Sequence, residues 1–192
     1  MIYLSLTELY RICSGIIIDN VIPSCRPDGL SVPASGCRRE EGQIMIIRET
    51  TPDTDTINTL IALSKDWAAE NSCTGYRENE VSDIEGNRIF LAEEDGSVIG
   101  YLFGKLSRSE KQTSVMPDNT PFFEVAELYV VPSQRSKGVG SALFHYAENA
   151  VRSEAQFILL STATKNWKAI LHFYLEELGM TFWSATLYRR LS

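Results

Sequence analysis

The stretch Val130-Val131-Pro132-Ser133-Gln134-Arg135-Ser136-Lys137-Gly138-Val139-Gly140-Ser141-Ala142 decides the fold. An apolar strand runs out at Pro132, which has no N–H to give to a sheet ladder. A short basic turn containing glycine follows. A helix then begins, and its apolar positions Val139, Ala142, Leu143, Tyr146, Ala147 and Ala150 fall on one face. A strand, a glycine turn and a helix N-terminus in succession make an anion site. The first helical amides have no internal partner, and the helix dipole places about half a positive charge beside them. Gly138 and Gly140 carry no side chain to hold off a pyrophosphate. Arg135 and Lys137 are expected to add formal charge, with Ser136, Val139 and Ser141 completing the turn. The spacing matches neither G-x-x-x-x-G-K-[ST] nor G-x-G-x-x-G, which argues against a nucleoside-triphosphate loop and a dinucleotide fingerprint.

Upstream of this turn, Phe122 to Val131 is predicted as a strand. Arg88 to Ala92 and Val98 to Leu106 are predicted to form a hairpin around Glu94-Asp95-Gly96, because Asp-Gly tolerates the positive φ angles of a tight turn. Asp53 or Thr54 is positioned to cap a helix over Thr56 to Glu70. Met45 opens a further strand, and the polar run Ser107 to Pro121 reads as a long loop. Downstream, a helix is expected over Gly138 to Ala155 and a strand over Phe157 to Ser161. A second helix is expected over Lys165 to Leu178, ended by Gly179, and closing strand structure over Thr181 to Leu191. No internal repeat is present. Residues 1–44 have a different character. They hold Cys13, Cys25 and Cys37 and three prolines, and contain no lysine. They are expected to be an irregular extension to a domain spanning 45–192.

Composition narrows the classes. A net charge of -7 repels nucleic acid and anionic membrane, and mildly favours a cationic acceptor. No apolar run approaches the roughly 20 residues needed to cross a bilayer. No signal peptide is evident, so the cytoplasm is the expected compartment. The four cysteines form no C-x-x-C pair and lie far from His145 and His172. Free thiols, and neither a zinc site nor a disulfide framework, are therefore expected.

The residues Glu127-Leu128-Tyr129-Val130-Val131-Pro132 and Arg135-Ser136-Lys137-Gly138-Val139-Gly140, with a second region from Asn166 to Leu178-Gly179-Met180, resemble the GNAT superfamily of acyl-CoA-dependent N-acetyltransferases. The resemblance extends from about Met45 to Leu191. It implies a mixed α and β fold: a central, mostly antiparallel sheet with a splayed parallel strand pair, flanked by helices. Acetyl-CoA would lie in the splay, with its pyrophosphate on the Arg135–Ser141 turn. The Leu128, Tyr129 and Val130 strand would offer Leu128 and Val130 main chain to the pantetheine arm, as to an added strand. The implied reaction passes an acetyl group to an amine on a small molecule or peptide, with no metal. Relatives are often homodimers.

Such chemistry needs a base, because an acceptor amine is mostly protonated near neutral pH. Glu127 is the first choice. By simple alternation it shares a strand face with Phe123, Val125, Tyr129 and Val131, apolar company that raises a carboxyl pKa. Glu124, on the opposite parity, is the alternative, and many relatives use a water relay instead. For the acid, relatives show N-x-x-A, a tyrosine seven residues after the Asn and a glycine four later. Asn166 and Ala169 fit, but position 173 is Phe, Tyr174 comes one residue late, and Gly179 follows it by five. Tyr174 remains the choice, because a phenol can donate a proton, with a core-packing role as the alternative. Asn166 would bind pantetheine or cap its helix. Trp67, Tyr76, Trp183, Glu70, Glu78, Glu80 and Asp83 are candidates for lining the acceptor pocket. Two other classes stay open: a catalytically silent acyl-CoA sensor and a general nucleotide-binding domain.

Overall fold

The structure is a computed structural model that describes residues 45–111 and 115–191. The expected extension, residues 1–44, lies outside the described residues, as do Cys13, Cys25 and Cys37. Five strands form one sheet in the order β1-β2-β3-β4-β5: β1 (Met45–Thr50), β2 (Arg88–Glu94), β3 (Ser97–Arg108), β4 (Pro121–Val130) and β5 (Phe157–Leu160). All pairings are antiparallel except β4 with β5. The helix α1 (Thr54–Glu70) and the short α2 (Val81–Ile84) cover one face, and α3 (Val139–Val151) covers the other.

Local chemistry explains the boundaries. Asp53 caps α1 by accepting from the Thr56 amide at 2.8 Å, and Asn71 ends the helix in the left-handed conformation. Ile57, Leu60, Ser64 and Trp67 turn inward from α1 at helical spacing. Asp95 (φ 50°) and Gly96 (φ 75°) form the expected two-residue hairpin turn between β2 and β3.

One irregularity resets the sheet. Phe103 pairs with Glu127, yet Gly104 pairs with Val125, so Ala126 is an extra residue bulged out of β4. A one-residue bulge exchanges the faces beyond it. Phe123, Val125, Leu128 and Val130 therefore all pack on the α3 side, with Leu143, Phe144 and Ala147. Tyr129 packs on the α1 side with Trp67, Tyr101 and Phe103. The alternation expected from the sequence is corrected accordingly: Glu127 shares its face with Tyr129 but not with Phe123 or Val125.

The β4–β5 pairing is short. It joins Phe122–Val125 to Phe157–Leu160 and stops. Among the described residues, β4 runs on to Val130 with no strand partner on that side. The chain after β5 is drawn off towards the loop that follows α1: Cys73 bridges Thr164, the Thr74 amide donates to Ala163 and the Lys165 amide donates to Ser72, both at 2.9 Å. The parallel strands thus splay apart, as the resemblance implied.

The second long helix differs from expectation. It is α-helical only over Trp167–His172 (α4), and Phe173–Glu177 forms a π-turn in which the Leu178 amide bonds the Phe173 carbonyl at 3.0 Å. A π-turn absorbs one extra residue. That accounts for the spacing of five, one more than the common four, from Tyr174 to Gly179, which closes the element at φ 65° while the Met180 amide donates to the Tyr174 carbonyl. The closing strand expected over Thr181–Leu191 is not present. Those residues form no regular element, with Leu187 92% exposed.

Candidate active site

Glu127 is the most unusual titratable group described. It is only 2% exposed, on the central part of β4. Its Oε2 accepts from the Tyr101 hydroxyl at 2.8 Å, the Asn79 amide at 2.9 Å and the Tyr76 hydroxyl at 3.3 Å. Burial pushes its carboxyl from the ordinary 4.5 up to about 8. The three donors pull the other way, and Asp83 adds to the rise. The donors are themselves fixed. The Asn79 backbone N–H donates to Ser64 Oγ at 2.9 Å, and the Ser64 hydroxyl donates to the Ile61 carbonyl in α1. Tyr76 leans on Trp67, with ring centroids 4.1 Å apart. Tyr101 stands between Phe103 and Tyr129. The sequence singled out Tyr76 but not Asn79, Tyr101 or Ser64. Tyr101 pairs with Tyr129 across the sheet and could have been found from strand register, whereas the loop carrying Asn79 has no periodic pattern.

Glu124 is half-buried. Because Phe123 and Val125 both face α3, it points to the α1 side, on the same face as Glu127 rather than the opposite one. Of the two carboxylates, only Glu127 has the three donors.

At the end of β4 the anion turn takes shape. After a short 3-10 turn at Pro132–Gln134, Ser136 (φ 59°) and Gly138 (φ 80°) both adopt left-handed conformations, and α3 begins at Val139. Gly138 occupies the N-cap position, and a Cβ built there meets no atom within 4 Å. The first internal helical bond is made by the Ala142 amide to Gly138, so the amides of Val139, Gly140 and Ser141 open the helix with no helical partner. Val139 anchors the turn from within the core, while Ser136, Lys137 and Gly138 are exposed and Gly140 and Ser141 are partly so.

Arg135 departs from expectation. Its side chain is 7% exposed and turned inward, donating to Glu70 at 2.7 Å and to the Val130 carbonyl at 2.8 Å, over the Tyr129 ring. Tyr129 also donates to the same Glu70 oxygen, and burial together with that carboxylate raises the phenol's pKa. Arg135 therefore ties the turn to α1 instead of presenting charge to a ligand. Lys137 is the cation of the turn left at the surface.

The Val131 amide bonds Ile99 on β3, so by strand alternation the Val130 and Leu128 main chains face the splay. The Val130 carbonyl is taken by Arg135, which leaves the Val130 amide and the Leu128 amide and carbonyl as the edge an extended ligand would meet.

Tyr174 is buried in the α3-side cluster with Leu128, Val130, Ile170 and Phe173, its ring 5.1 Å from that of Phe173. It and Glu127 thus approach β4 from opposite faces. Asn166 stands at the N-cap position of α4, but its side chain makes no capping bond, so of its two expected roles the capping one is not seen. Among the acceptor-pocket candidates, Trp67 is core, Glu70 is held by Arg135 and Tyr129, and Asp83 pairs with Arg77 at 2.8 Å. Tyr76 is half-buried, Glu78 and Glu80 are exposed, and Trp183 is exposed on the C-terminal segment. Among the described residues, no helix is long and apolar enough to cross a membrane, and no group of three His, Cys, Asp or Glu is placed to hold a metal ion.

A splayed parallel pair, a left-handed glycine at the mouth of a helix and a buried strand carboxyl define an acyltransferase-type architecture. The sequence profile described as the acetyltransferase (GNAT) family matches residues 57–180, and the chain belongs to that family. No curated protein matches the chain in sequence. Solved structures share the fold at low identity. An aminoglycoside acetyltransferase from an uncultured soil metagenomic sample is 14% identical, with a TM-score of 0.57, over 78% of this chain and 99% of that one. The aminoglycoside N-acetyltransferase AAC(6')-Iy in complex with CoA is 18% identical, with a TM-score of 0.55, over 77% and 99%. A transcriptional regulator from Bacillus halodurans C-125 is 18% identical, with a TM-score of 0.58, over 77% and 100%.

Proposed function

We propose that the protein transfers the acetyl group of acetyl-CoA to a primary amine of a small-molecule or peptide acceptor, by direct attack within a ternary complex. The observation that carries this is the mouth of α3. Unpartnered amides, an exposed left-handed Gly138 with open space where a side chain would be, and exposed Lys137 make a cradle for a pyrophosphate. The neighbouring free edge of β4 suits the pantetheine amides, and the thioester would reach the level where β5 leaves β4. Glu127 is the base: a carboxyl near 8 takes a proton efficiently at mildly alkaline pH. Tyr174 is proposed to supply a proton to the departing thiolate from the α3 side. AAC(6')-Iy has been solved with a bisubstrate analog, CoA-S-monomethyl-acetylneamine, which supports a small, amine-rich acceptor here.

The test is thiol release from acetyl-CoA across a panel of amines, alongside calorimetry with CoA. Turnover is expected, with a rate that climbs as pH rises through about 8. Binding without thiol release for any amine would instead assign the chain as an acyl-CoA sensor. Gly138→Val is expected to weaken CoA binding by at least tenfold, because its side chain would occupy the cradle. Unchanged binding in that variant would reject the site.

A further inference from the structure

We propose that Tyr76 is the proton relay between the acceptor amine and Glu127; the proposal rests on the acetyl-transfer reading above. The argument starts from access. Glu127 is 2% exposed, so an amine arriving from solvent does not meet its carboxylate directly. Among the described residues, three side chains donate to that carboxylate. Asn79 is buried, and its amide N–H is far too weak an acid to pass a proton on. Tyr101 carries a phenol but is fully buried on β3. Tyr76 alone combines a transferable proton with partial exposure. It comes from the loop between α1 and α2, and its bond to Oε2, 3.3 Å, is the longest of the three. Its ring is held against Trp67, ring centroids 4.1 Å apart, which fixes the direction of the hydroxyl.

The step balances. The protonated amine first loses one proton to solvent. As the neutral nitrogen attacks the thioester carbonyl, an N–C bond forms and the C–S bond breaks. The nitrogen's surplus proton passes to the Tyr76 oxygen while the Tyr76 proton passes to Glu127 Oε2. Glu127 ends as the carboxylic acid and Tyr76 is regenerated, and the thiolate leaves with the electron pair and is protonated. The groups that set the charge around this path are Tyr101 from β3, Asn79 and Tyr76 from the loop, Asp83 from α2 with its partner Arg77, and the Glu70–Arg135 pair beside Tyr129.

Tyr76→Phe keeps the ring on Trp67 and removes only the hydroxyl. With the best amine from the panel, kcat at its alkaline plateau should fall at least thirtyfold, with KM for acetyl-CoA and calorimetric CoA binding unchanged. The loss should shrink with weakly basic acceptors, which need less help to shed a proton. Replacing Tyr76 by 3,5-difluorotyrosine keeps both ring and hydroxyl and changes only acidity; kcat should move severalfold with no change in melting temperature. A Tyr76→Phe enzyme with a full plateau kcat overturns the relay, as does a loss confined to KM for the amine. So does a difluorotyrosine enzyme with a kcat unchanged at every pH. An active wild type whose Glu127→Gln variant is equally active removes the relay while leaving acetyl transfer standing. A wild type that binds CoA and acetylates nothing removes both.

Discussion

At the residue scale, Glu127 is a carboxyl that the fold prefers to keep protonated, and the preference has a direction that can be measured. Its pKa in the folded protein, about 8, lies above its ordinary 4.5. The stability it contributes is therefore complete below about 4.5 and is lost as pH rises through about 8. Glu127→Gln has no such proton to lose. The melting temperature of the wild type relative to that variant is expected to fall steadily between pH 5 and 8, and a constant difference would contradict the buried position. Activity should run in the opposite direction, since the proposed base works only when deprotonated, and Glu127→Gln is expected to lose roughly a hundredfold or more in kcat. A second contrast separates the two cations of the anion turn. Arg135→Ala strands Glu70 in a largely buried site and should cost about 3 kcal/mol in urea unfolding. Lys137→Ala should leave stability alone and weaken CoA binding about fivefold, the equivalent of about 1 kcal/mol. In the sequence both residues are simply basic positions of one motif. Which of them turns inward depends on Glu70, sixty-five residues upstream, and motif spacing carries no trace of that partner.

The element scale shows why local pattern carries some inferences and not others. The hairpin turn and the start of α3 were legible because each depends on residues next to one another in the chain: Asp95-Gly96 for the turn, and Pro132, Gly138 and the apolar face from Val139 for the helix. The faces of β4 were not legible, because counting by twos assumes an unbroken ladder, and the ladder breaks at Ala126. The neighbouring strand is shaped to accommodate it. Gly104 is pressed so closely on the Glu124 carbonyl that a Cβ there would collide with it and crowd the Phe123 ring. Gly104→Ala is expected to destabilise the domain by about 2 kcal/mol, read as a lowered urea midpoint with an unchanged m-value. It should also depress activity among the molecules that remain folded, since Glu127 takes its direction from the bulge. The segment after Gly179 makes the same point in reverse. Thr181, Phe182, Trp183, Thr186, Leu187 and Tyr188 have strong strand propensity, yet a strand exists only where another strand offers its edge, and in the single chain described here this segment has none.

For the whole molecule, two apolar clusters on opposite faces of one sheet close among residues that begin with β1. We infer that the domain starting at Met45 folds without what precedes it; a chain lacking residues 1–44 should melt at the same temperature and bind CoA equally well. The family and the order of strand, glycine turn and helix were within reach of the sequence, because the three follow one another without interruption. The environment of Glu127 was not, because Tyr76 and Asn79 from the loop after α1 and Tyr101 from the neighbouring strand converge on it, with Ser64 of α1 holding Asn79 in place. The four-rung joint between β4 and β5 has a consequence of its own. In deuterated water, amides of Phe157–Leu160 should exchange well before those of the long β2–β3 ladder, since so few bonds hold them. A bound extended ligand would slow the label at Leu128 and Val130 while leaving β2 untouched, so a mass spectrometer could follow occupancy of the cleft with no reaction taking place.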